Sequence, residues 1–466
     1  MSVHKKRTNN VYILTFSVAM FDFNVILPSM RRAIETTLKR WSKDPNRKPL
    51  ILNGARQVGK TYSLQRLGKS EYSKTAYFNF EESPDLREAF QGELNPDKIL
   101  AVLSAITGYK IGAGDDLIIL DEIQLAPEAI NSLKYFQEKR PEYHIACAGS
   151  LLGIHLSKPK SFPVGKVNFL NLFPMSFTEY LNAIRESGLN DDILTLDKRA
   201  PLPTIIHKRR NDHLRNYLFV GGMPEAVRRY RDTSDYQQVR QVQKEILRAY
   251  QIDFAKHPRP HDIPKISQIW ASIPAHLGRE NKKFMFSKVR PGARARDYED
   301  ALQWLIDGGL LLKSNNVSKA AFPLMAYANS NIFKAYLLDV GLLGAMTNLS
   351  PEVLIKNEGI FEEFKGALTE NYIAQQLRSV DQENLYYWTS EQTAEIDFLY
   401  EFDQGIIPLE VKAGHNTKSK SLHVYDNKYS PKALVRSNLL NLKHDGKVLN
   451  IPLHLIEFIP IFLKLL

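Results

Sequence analysis

Cysteine is nearly absent: Cys147 is the single one in the chain. An internal disulfide is therefore excluded, which suits a reducing compartment. Cys147 sits in the apolar run His144-Ile-Ala-Cys-Ala148, and so reads as a small buried hydrophobe rather than a nucleophile. Long hydrophobic runs are absent too. No apolar stretch reaches the ~18 residues of a membrane-spanning helix, and the tail from Ile459 to Leu466 reads as a short packing helix. Val11 to Leu27, preceded by Lys5, Lys6 and Arg7, imitates an export signal, but Asp22 and Asn24 interrupt it and no small-residue cleavage site follows. The residues before Met30 are expected to be an appendage outside the folded core. The protein is expected to be cytoplasmic, with no membrane partner. Charge bias is modest: 62 Lys and Arg against 51 Asp and Glu give +11, with pI near 9.3. Such an excess admits a polyanionic partner, nucleic acid first.

The strongest signal is Gly54-Ala55-Arg56-Gln57-Val58-Gly59-Lys60-Thr61, which fits G-x-x-x-x-G-K-[ST]. The apolar run Pro49-Leu-Ile-Leu52 precedes it as a buried strand, and a helix through Leu64 and Leu67 follows. The order is what phosphate binding needs. Glycines let backbone N–H groups approach the phosphates, and the helix N-terminus adds partial positive charge. Lys60 can reach the β- and γ-phosphates, and Thr61 can ligate Mg2+. Leu117-Ile-Ile-Leu120 is a second buried-strand run, ending in Asp121 and Glu122. Asp121 is suited to hold Mg2+, and Glu122 to polarise the attacking water. A strand at Thr75-Ala-Tyr-Phe-Asn-Phe80 between the two places the domain among ATPases with an inserted strand. Ser150, after the strand-like 144–148 run, is expected to sense the γ-phosphate or the water. Val167-Asn-Phe-Leu170 is expected to complete the sheet, with ligands at its C-terminal strand ends.

Residues 191–210 are polar and carry Pro201 and Pro203, which mark a boundary. His207-Lys-Arg-Arg210 reads as a solvated basic face. Helices follow, broken at Gly221-Gly-Met-Pro224 and resumed from Pro224. Ile266, Ile269, Trp270 and Ile273 share helical spacing. A second helix from Asp297 ends at Gly308-Gly309 and leads into a strand. Helices followed by short strands suggest a winged-helix unit. Arg290, Arg294 and Arg296 at its second helix admit two readings, phosphate contact with DNA ahead of RNA, or a unit that only packs between its two neighbours. Trp304 reads as core.

In the last hundred residues a helix carrying Glu370 precedes strands at Tyr386-Tyr-Trp388, Glu395-Ile-Asp397-Phe-Leu-Tyr400 and Ile406-Ile-Pro-Leu-Glu410-Val-Lys412. Strand alternation puts Glu410 and Lys412 on one face. The set Glu370, Asp397, Glu410 and Lys412 resembles the PD-(D/E)xK restriction-endonuclease core. The resemblance implies carboxylates holding Mg2+ and a lysine that orients water or neutralises charge. Lys418 and Lys420 follow as backbone contacts.

Taken in order, these segments resemble the prokaryotic AAA+-like ATPases that join a P-loop domain to a C-terminal nuclease-like region. The matching stretches are Leu52-Asn-Gly-Ala-Arg-Gln-Val-Gly-Lys-Thr61, Leu120-Asp-Glu-Ile-Gln124, Leu172-Phe-Pro-Met-Ser-Phe-Thr-Glu179, Gly221-Gly-Met-Pro-Glu-Ala226, Tyr336-Leu-Leu-Asp-Val-Gly-Leu342, Gly366-Ala-Leu-Thr-Glu370 and Leu409-Glu-Val-Lys412. The resemblance implies ATP and Mg2+ as cofactors, and admits a protein partner or an oligomer. Lys166 stands where the family pattern expects arginine; it keeps the charge and loses the forked geometry. The expected architecture is an α/β P-loop NTPase sheet in residues 30–200, after an extension in 1–29. A helical lid (201–260), a winged-helix-like unit (261–350) and a restriction-endonuclease-like α/β unit (351–466) follow.

Overall fold

The computed structural model describes residues 30–150, 163–195, 200–256, 259–280, 282–352, 362–380, 383–391, 394–415 and 419–465. The 1–29 extension and Lys418 lie outside the described residues. Five strands form the first sheet: β1 (Leu50–Asn53), β2 (Lys74–Asn79), β3 (Asp116–Asp121), β4 (His144–Gly149) and β5 (Asn168–Asn171). Their order is β2-β3-β4-β1-β5 and all pairs are parallel. Parallel strands need covered faces, and these read as continuous apolar runs for that reason. Leu50, Leu52, Leu117, Ile119, Ala146 and Ala148 pack on one face, with helices Ile34–Lys43 and Lys60–Glu71. Ile51, Ile118, Leu120, Ile145 and Cys147 pack on the other, with helices Pro96–Thr107 and Pro127–Lys139. Cys147 is the buried hydrophobe expected.

Helices Thr204–Val220, Pro224–Thr233 and Tyr236–Lys256 come next. The first begins directly after Pro203, and Pro224 opens the second. The basic run His207 to Arg210 is not wholly solvated, which corrects the expectation. Arg210 is fully buried and donates to the carbonyls of Leu189 and His454 and to Nδ1 of His454. It lies on the same helical face as Leu214 and Tyr217, both buried.

Eight strands make the second sheet: β6 (Leu311–Val317), β7 (Ala328–Leu337), β8 (Leu385–Thr389), β9 (Glu395–Phe402), β10 (Gly405–Val411), β11 (Leu434–Asn438), β12 (Lys443–Asp445) and β13 (Val448–Pro452). The order is β12-β13-β11-β10-β9-β8-β6-β7, with mixed directions. Helices Ile263–Leu277 and Ala295–Asp307 precede the β6–β7 hairpin, and Trp304 on the second of them is buried. The hairpin does not stand apart: β6 pairs in parallel with β8 and so shares the sheet of the C-terminal strands. The tail helix Ile459–Leu463 packs through Ile459, Phe462 and Leu463.

The two halves meet at three of the glycine- and proline-rich segments. Gly222 donates to Asp339 Oδ2 at 2.6 Å and accepts from Met175 N–H at 2.6 Å. A Cβ on Gly222 would lie 2.1 Å from the Met175 carbonyl oxygen, so only glycine fits between these chains. Phe177 N–H donates to Gln376 Oε1 at 2.9 Å and Thr178 N–H to Glu457 Oε1 at 3.0 Å, tying the start of helix Phe177–Ala183 to helix Glu362–Ser379 and to the turn Leu453–Phe458.

Candidate functional site

The first candidate site lies at the C-terminal ends of β1, β3 and β4. Residues 54–59 turn from β1 into helix Lys60–Glu71, whose N-cap Gly59 has φ 97°. Gly54 has φ 151°, and a Cβ there would lie 2.3 Å from the Leu172 carbonyl oxygen. Any side chain at this position would push the loop off the strand ends. Lys60 is buried, and its Nζ donates to the carbonyls of Gly54 at 2.8 Å and Ala55 at 2.7 Å. Burial pulls its ammonium down to about 8, against the opposing pull of Glu122 and Asp121. Thr61 Oγ1 donates to Asp121 Oδ2 at 2.7 Å, and the Tyr77 hydroxyl donates to the same oxygen at 2.9 Å. Burial raises the Asp121 carboxyl, while these hydroxyls hold it down.

Glu122 sits at φ 51°, a left-handed conformation that turns its side chain toward β4. Its Oε2 accepts from Ser150 Oγ at 3.2 Å and from Gln124 Nε2, and Gln124 also donates to Ser150 at 3.3 Å. Ser150 is thus joined to the carboxylate suited to activate water. The Arg56 Nε donates to Ser150 Oγ at 3.3 Å, and its Nη1 to Asp253 Oδ1 at 2.8 Å. Tyr250 donates to the Arg56 carbonyl at 2.8 Å. The loop is therefore tied to helix Tyr236–Lys256 at two points. Lys166 pairs with Glu138 at 3.1 Å between half-exposed side chains.

Arg32 is the residue that the sequence pattern did not reveal. Buried, it donates to the Val58 carbonyl at 2.7 Å, the Phe173 carbonyl at 2.7 Å and Glu179 Oε1 at 3.0 Å. It pins the phosphate loop to the Leu172–Glu179 segment. Glu179 also accepts from Ala33 N–H and closes a capping box with Ser176. Thr61, Asp121 and the loop backbone fit a Mg2+-nucleotide: a hydroxyl and a carboxylate already touch beneath a glycine-bearing cradle at a helix N-terminus.

The second candidate site lies on the mixed sheet. Glu370 comes from helix Glu362–Ser379, Asp397 from β9, and Glu410 from β10 with Lys412 just beyond it. The β9–β10 ladder runs to Leu409 opposite Phe398, and past it Asp397 Oδ2 accepts the Val411 N–H at 2.7 Å. Lys412 Nζ pairs with Glu410 Oε1 at 2.9 Å. Burial lowers the Lys412 ammonium, but Glu410, then Asp397 and Glu370, raise it beyond its ordinary value. Burial, then the Glu370 charge, push the Asp397 carboxyl up to about 7. The four predicted residues are therefore electrostatic neighbours. Two lysines that sequence reasoning missed join them. Lys282 pairs with Glu370 Oε1, and Lys334 pairs with Glu395 Oε1 at 2.5 Å and lies 3.6 Å from Glu370 Oε2. Burial raises Glu370, yet Lys334 and Lys282 together bring it below the usual carboxylate range. Among the described residues no group of three or more His, Cys, Asp or Glu side chains is disposed to hold a metal ion. For the metal expected there, Glu410 offers one oxygen, Oε2, that is buried with no partner among the described residues, whereas Glu370 is taken by lysines. Among these residues, too, no helix is long and apolar enough to cross a membrane.

Three family models match the chain: an AAA domain over residues 46–181, a domain of unknown function (DUF8612) over 211–353, and another (DUF4143) over 365–456. No curated protein matches it. Among solved structures it is similar to the Walker-type ATPase PABY2304 of Pyrococcus abyssi, at 15% identity over 68% of this chain and 96% of that one, with a TM-score of 0.44. Cdc6p from Pyrobaculum aerophilum matches at 14% identity over 72% of this chain and 97% of that one, with a TM-score of 0.26. PCH-2 of C. elegans matches at 14% identity over 38% of this chain and 55% of that one, with a TM-score of 0.22. The AAA match covers β1, β3, β4 and the loop that carries Lys60 and Thr61, and with the geometry of that loop it supports an ATPase-like P-loop domain at the front of the chain, followed by an α/β unit with a mixed sheet.

Proposed function

We propose that this chain hydrolyses ATP and couples the resulting rearrangement to a nuclease-like, nucleic-acid-binding C-terminal unit. The observation that carries the reading is Lys412, paired with Glu410 at 2.9 Å and within the electrostatic field of Asp397 and Glu370. Glu410 and Lys412 share the end of one strand, and Asp397 on the next strand reaches the same end through the Val411 N–H at 2.7 Å.

In the front site, Lys60 exchanges its two loop carbonyls for nucleotide phosphates. Thr61 and Asp121 would hold Mg2+, which would supply charge neutralisation at the phosphates. Glu122 takes the proton of the attacking water once Ser150 and Gln124 release it. Arg56 passes the state of Ser150 to Asp253 and so to helix Tyr236–Lys256. In the rear site, a divalent cation on Asp397 and Glu410 would supply Lewis-acid chemistry at a phosphodiester. Lys412 orients the water there or offsets the charge of the scissile phosphate. The exposed Lys288, Arg290, Arg294 and Arg296 suit a phosphate backbone, DNA ahead of RNA. The cytoplasm is the compartment that this reading implies.

One observation favours a second reading, a nucleotide-loaded regulatory switch that acts on protein partners through a catalytically inactive rear unit. The engagement of Glu370 by Lys282 and Lys334 supports it. A cleavage assay with Mn2+ or Mg2+ on DNA and RNA separates the two. The nuclease reading expects cutting by wild type and none by Asp397→Asn or Lys412→Ala. If wild type cuts neither polymer, and the variants match it in nucleic-acid binding, the switch stands instead.

A further inference from the structure

Strand β2 is an edge of the first sheet, yet it sends a polar side chain to the centre of the nucleotide site. Ala76 and Phe78 are buried in the core on one face of β2, and Thr75, Tyr77 and Asn79 share the other. β2 and β3 run in parallel, with Tyr77 opposite Ile119 and Asn79 opposite Asp121. The Tyr77 ring therefore reaches one step along the ladder to the Asp121 carboxylate.

Asp121 is 3% exposed, so its oxygens depend on donors within the protein. Oδ1 accepts the Glu122 N–H at 2.9 Å. Oδ2 accepts two hydroxyls, Thr61 at 2.7 Å and Tyr77 at 2.9 Å. The two hydroxyls differ in what else they serve. Thr61 is suited to ligate Mg2+, so its oxygen is shared between Asp121 and the ion. Tyr77 has no such second duty. Its oxygen accepts the Asn79 Nδ2–H at 3.3 Å, which fills a lone pair and leaves the phenol proton aimed at Asp121. Asn79 is itself fixed: its Oδ1 accepts the Glu81 N–H at 2.9 Å, and its Nδ2 also donates to Glu82 Oε1 at 3.1 Å. The charge of Asp121 is felt at Lys60, so a carboxylate freed from Tyr77 has a competing partner to turn to.

We infer that Tyr77 is a positioning residue of the ATP site: oriented by Asn79, its hydroxyl holds the Asp121 carboxylate in the orientation that serves Mg2+. The inference rests on the reading of Thr61 and Asp121 as the Mg2+-nucleotide site. It adds the residue that sets the carboxylate before the ion arrives.

The test is nucleotide binding by the full chain as a function of Mg2+, read with a fluorescent ATP analogue. Tyr77→Phe keeps the ring and removes only the hydroxyl. Its affinity in EDTA is expected to stay within about twofold of wild type, because Lys60 and the loop backbone, not Asp121, meet the phosphates. The Mg2+ concentration that gives half of the full gain in affinity is expected to rise about tenfold, the effect of one hydrogen bond to a charged group. Asn79→Asp keeps the acceptor for the Glu81 N–H, but replaces the donor to Tyr77 with an acceptor that draws the phenol proton off Asp121. It is expected to raise the Mg2+ requirement when Tyr77 is present and not in Tyr77→Phe. A purely structural tyrosine would instead shift thermal unfolding and leave the Mg2+ requirement unmoved. A Tyr77→Phe chain with the wild-type Mg2+ requirement overturns the inference, as does an Asn79→Asp effect of equal size with and without the hydroxyl. Should Tyr77→Phe not fold, Asn79→Asp decides alone, and an unchanged Mg2+ requirement there overturns the inference. Wild-type binding that ignores Mg2+ refutes the reading of Thr61 and Asp121 itself, and the inference falls with it.

Discussion

Arg32→Ala is the sharpest perturbation of the nucleotide site that leaves the phosphate loop's own sequence intact. The guanidinium makes three bonds, to the Val58 and Phe173 carbonyls at 2.7 Å each and to Glu179 at 3.0 Å. Glu179 keeps the Ala33 and Ser176 N–H groups when Arg32 is lost, so it is not left bare. The two carbonyls lose a charged donor. Bonds to charged groups contribute about 1.5–3 kcal/mol each, and a partly compensated buried pair lowers the sum, so the loss is about 3–5 kcal/mol. If about 2 kcal/mol of it falls on ordering of the loop at Val58, ATP binds about thirty-fold more weakly, at about 1.4 kcal/mol per tenfold. Arg32→Lys restores a charge but not the fork, and is expected to recover less than half of that loss. Titration with a fluorescent ATP analogue measures both variants against wild type. An Arg32→Ala protein that binds ATP as tightly as wild type refutes the claim that this residue holds the loop.

The remaining predictions concern the same site. Lys60→Ala is expected to lose detectable ATP binding, and Glu122→Gln to bind ATP while turnover falls about a hundred-fold or more; tight binding by the Lys60 variant sinks the loop assignment. Because burial pulls Lys60 down to about 8, and only its charged form pairs with phosphate, ATP affinity is expected to hold below that pH. Above it, affinity falls about tenfold per unit; a dissociation constant that stays flat on the alkaline side argues against the buried ammonium. Gly54→Ala puts a Cβ 2.3 Å from the Leu172 carbonyl oxygen, so it is expected to lower thermal stability and ATP affinity together. A neutral Gly54→Ala result contradicts the close packing. Asp253→Asn is expected to leave ATP affinity within about threefold while raising amide exchange in helix Tyr236–Lys256; unchanged exchange removes Arg56 from the coupling route.

The front site was legible because its signal is local. A strand, a glycine-bearing turn and a helix succeed one another within residues 50–71, and the Asp121-Glu122 pair ends a run whose apolarity shows that both strand faces are covered. Arg32 left no such trace: it lies 26 residues from Val58 and binds a carbonyl, a group every residue offers. Arg210 was readable in principle, since it shares helical spacing with the buried Leu214 and Tyr217, but its basic neighbours masked it. Lys334 stands in an apolar run where alternation assigns a lysine to solvent. Helix Glu362–Ser379 covers that face and brings Glu370 to it, a placement only the tertiary fold supplies. The β6–β8 pairing was hidden for the same reason: periodicity marks a strand but not its partner across intervening helices.

ATP turnover with and without duplex DNA tests the coupling of the two ends most directly. The account predicts that DNA raises turnover of the wild type, and that the effect is lost in Arg290→Glu/Arg294→Glu/Arg296→Glu and in Asp253→Asn while unstimulated turnover persists. Turnover indifferent to DNA and RNA in the wild type contradicts it.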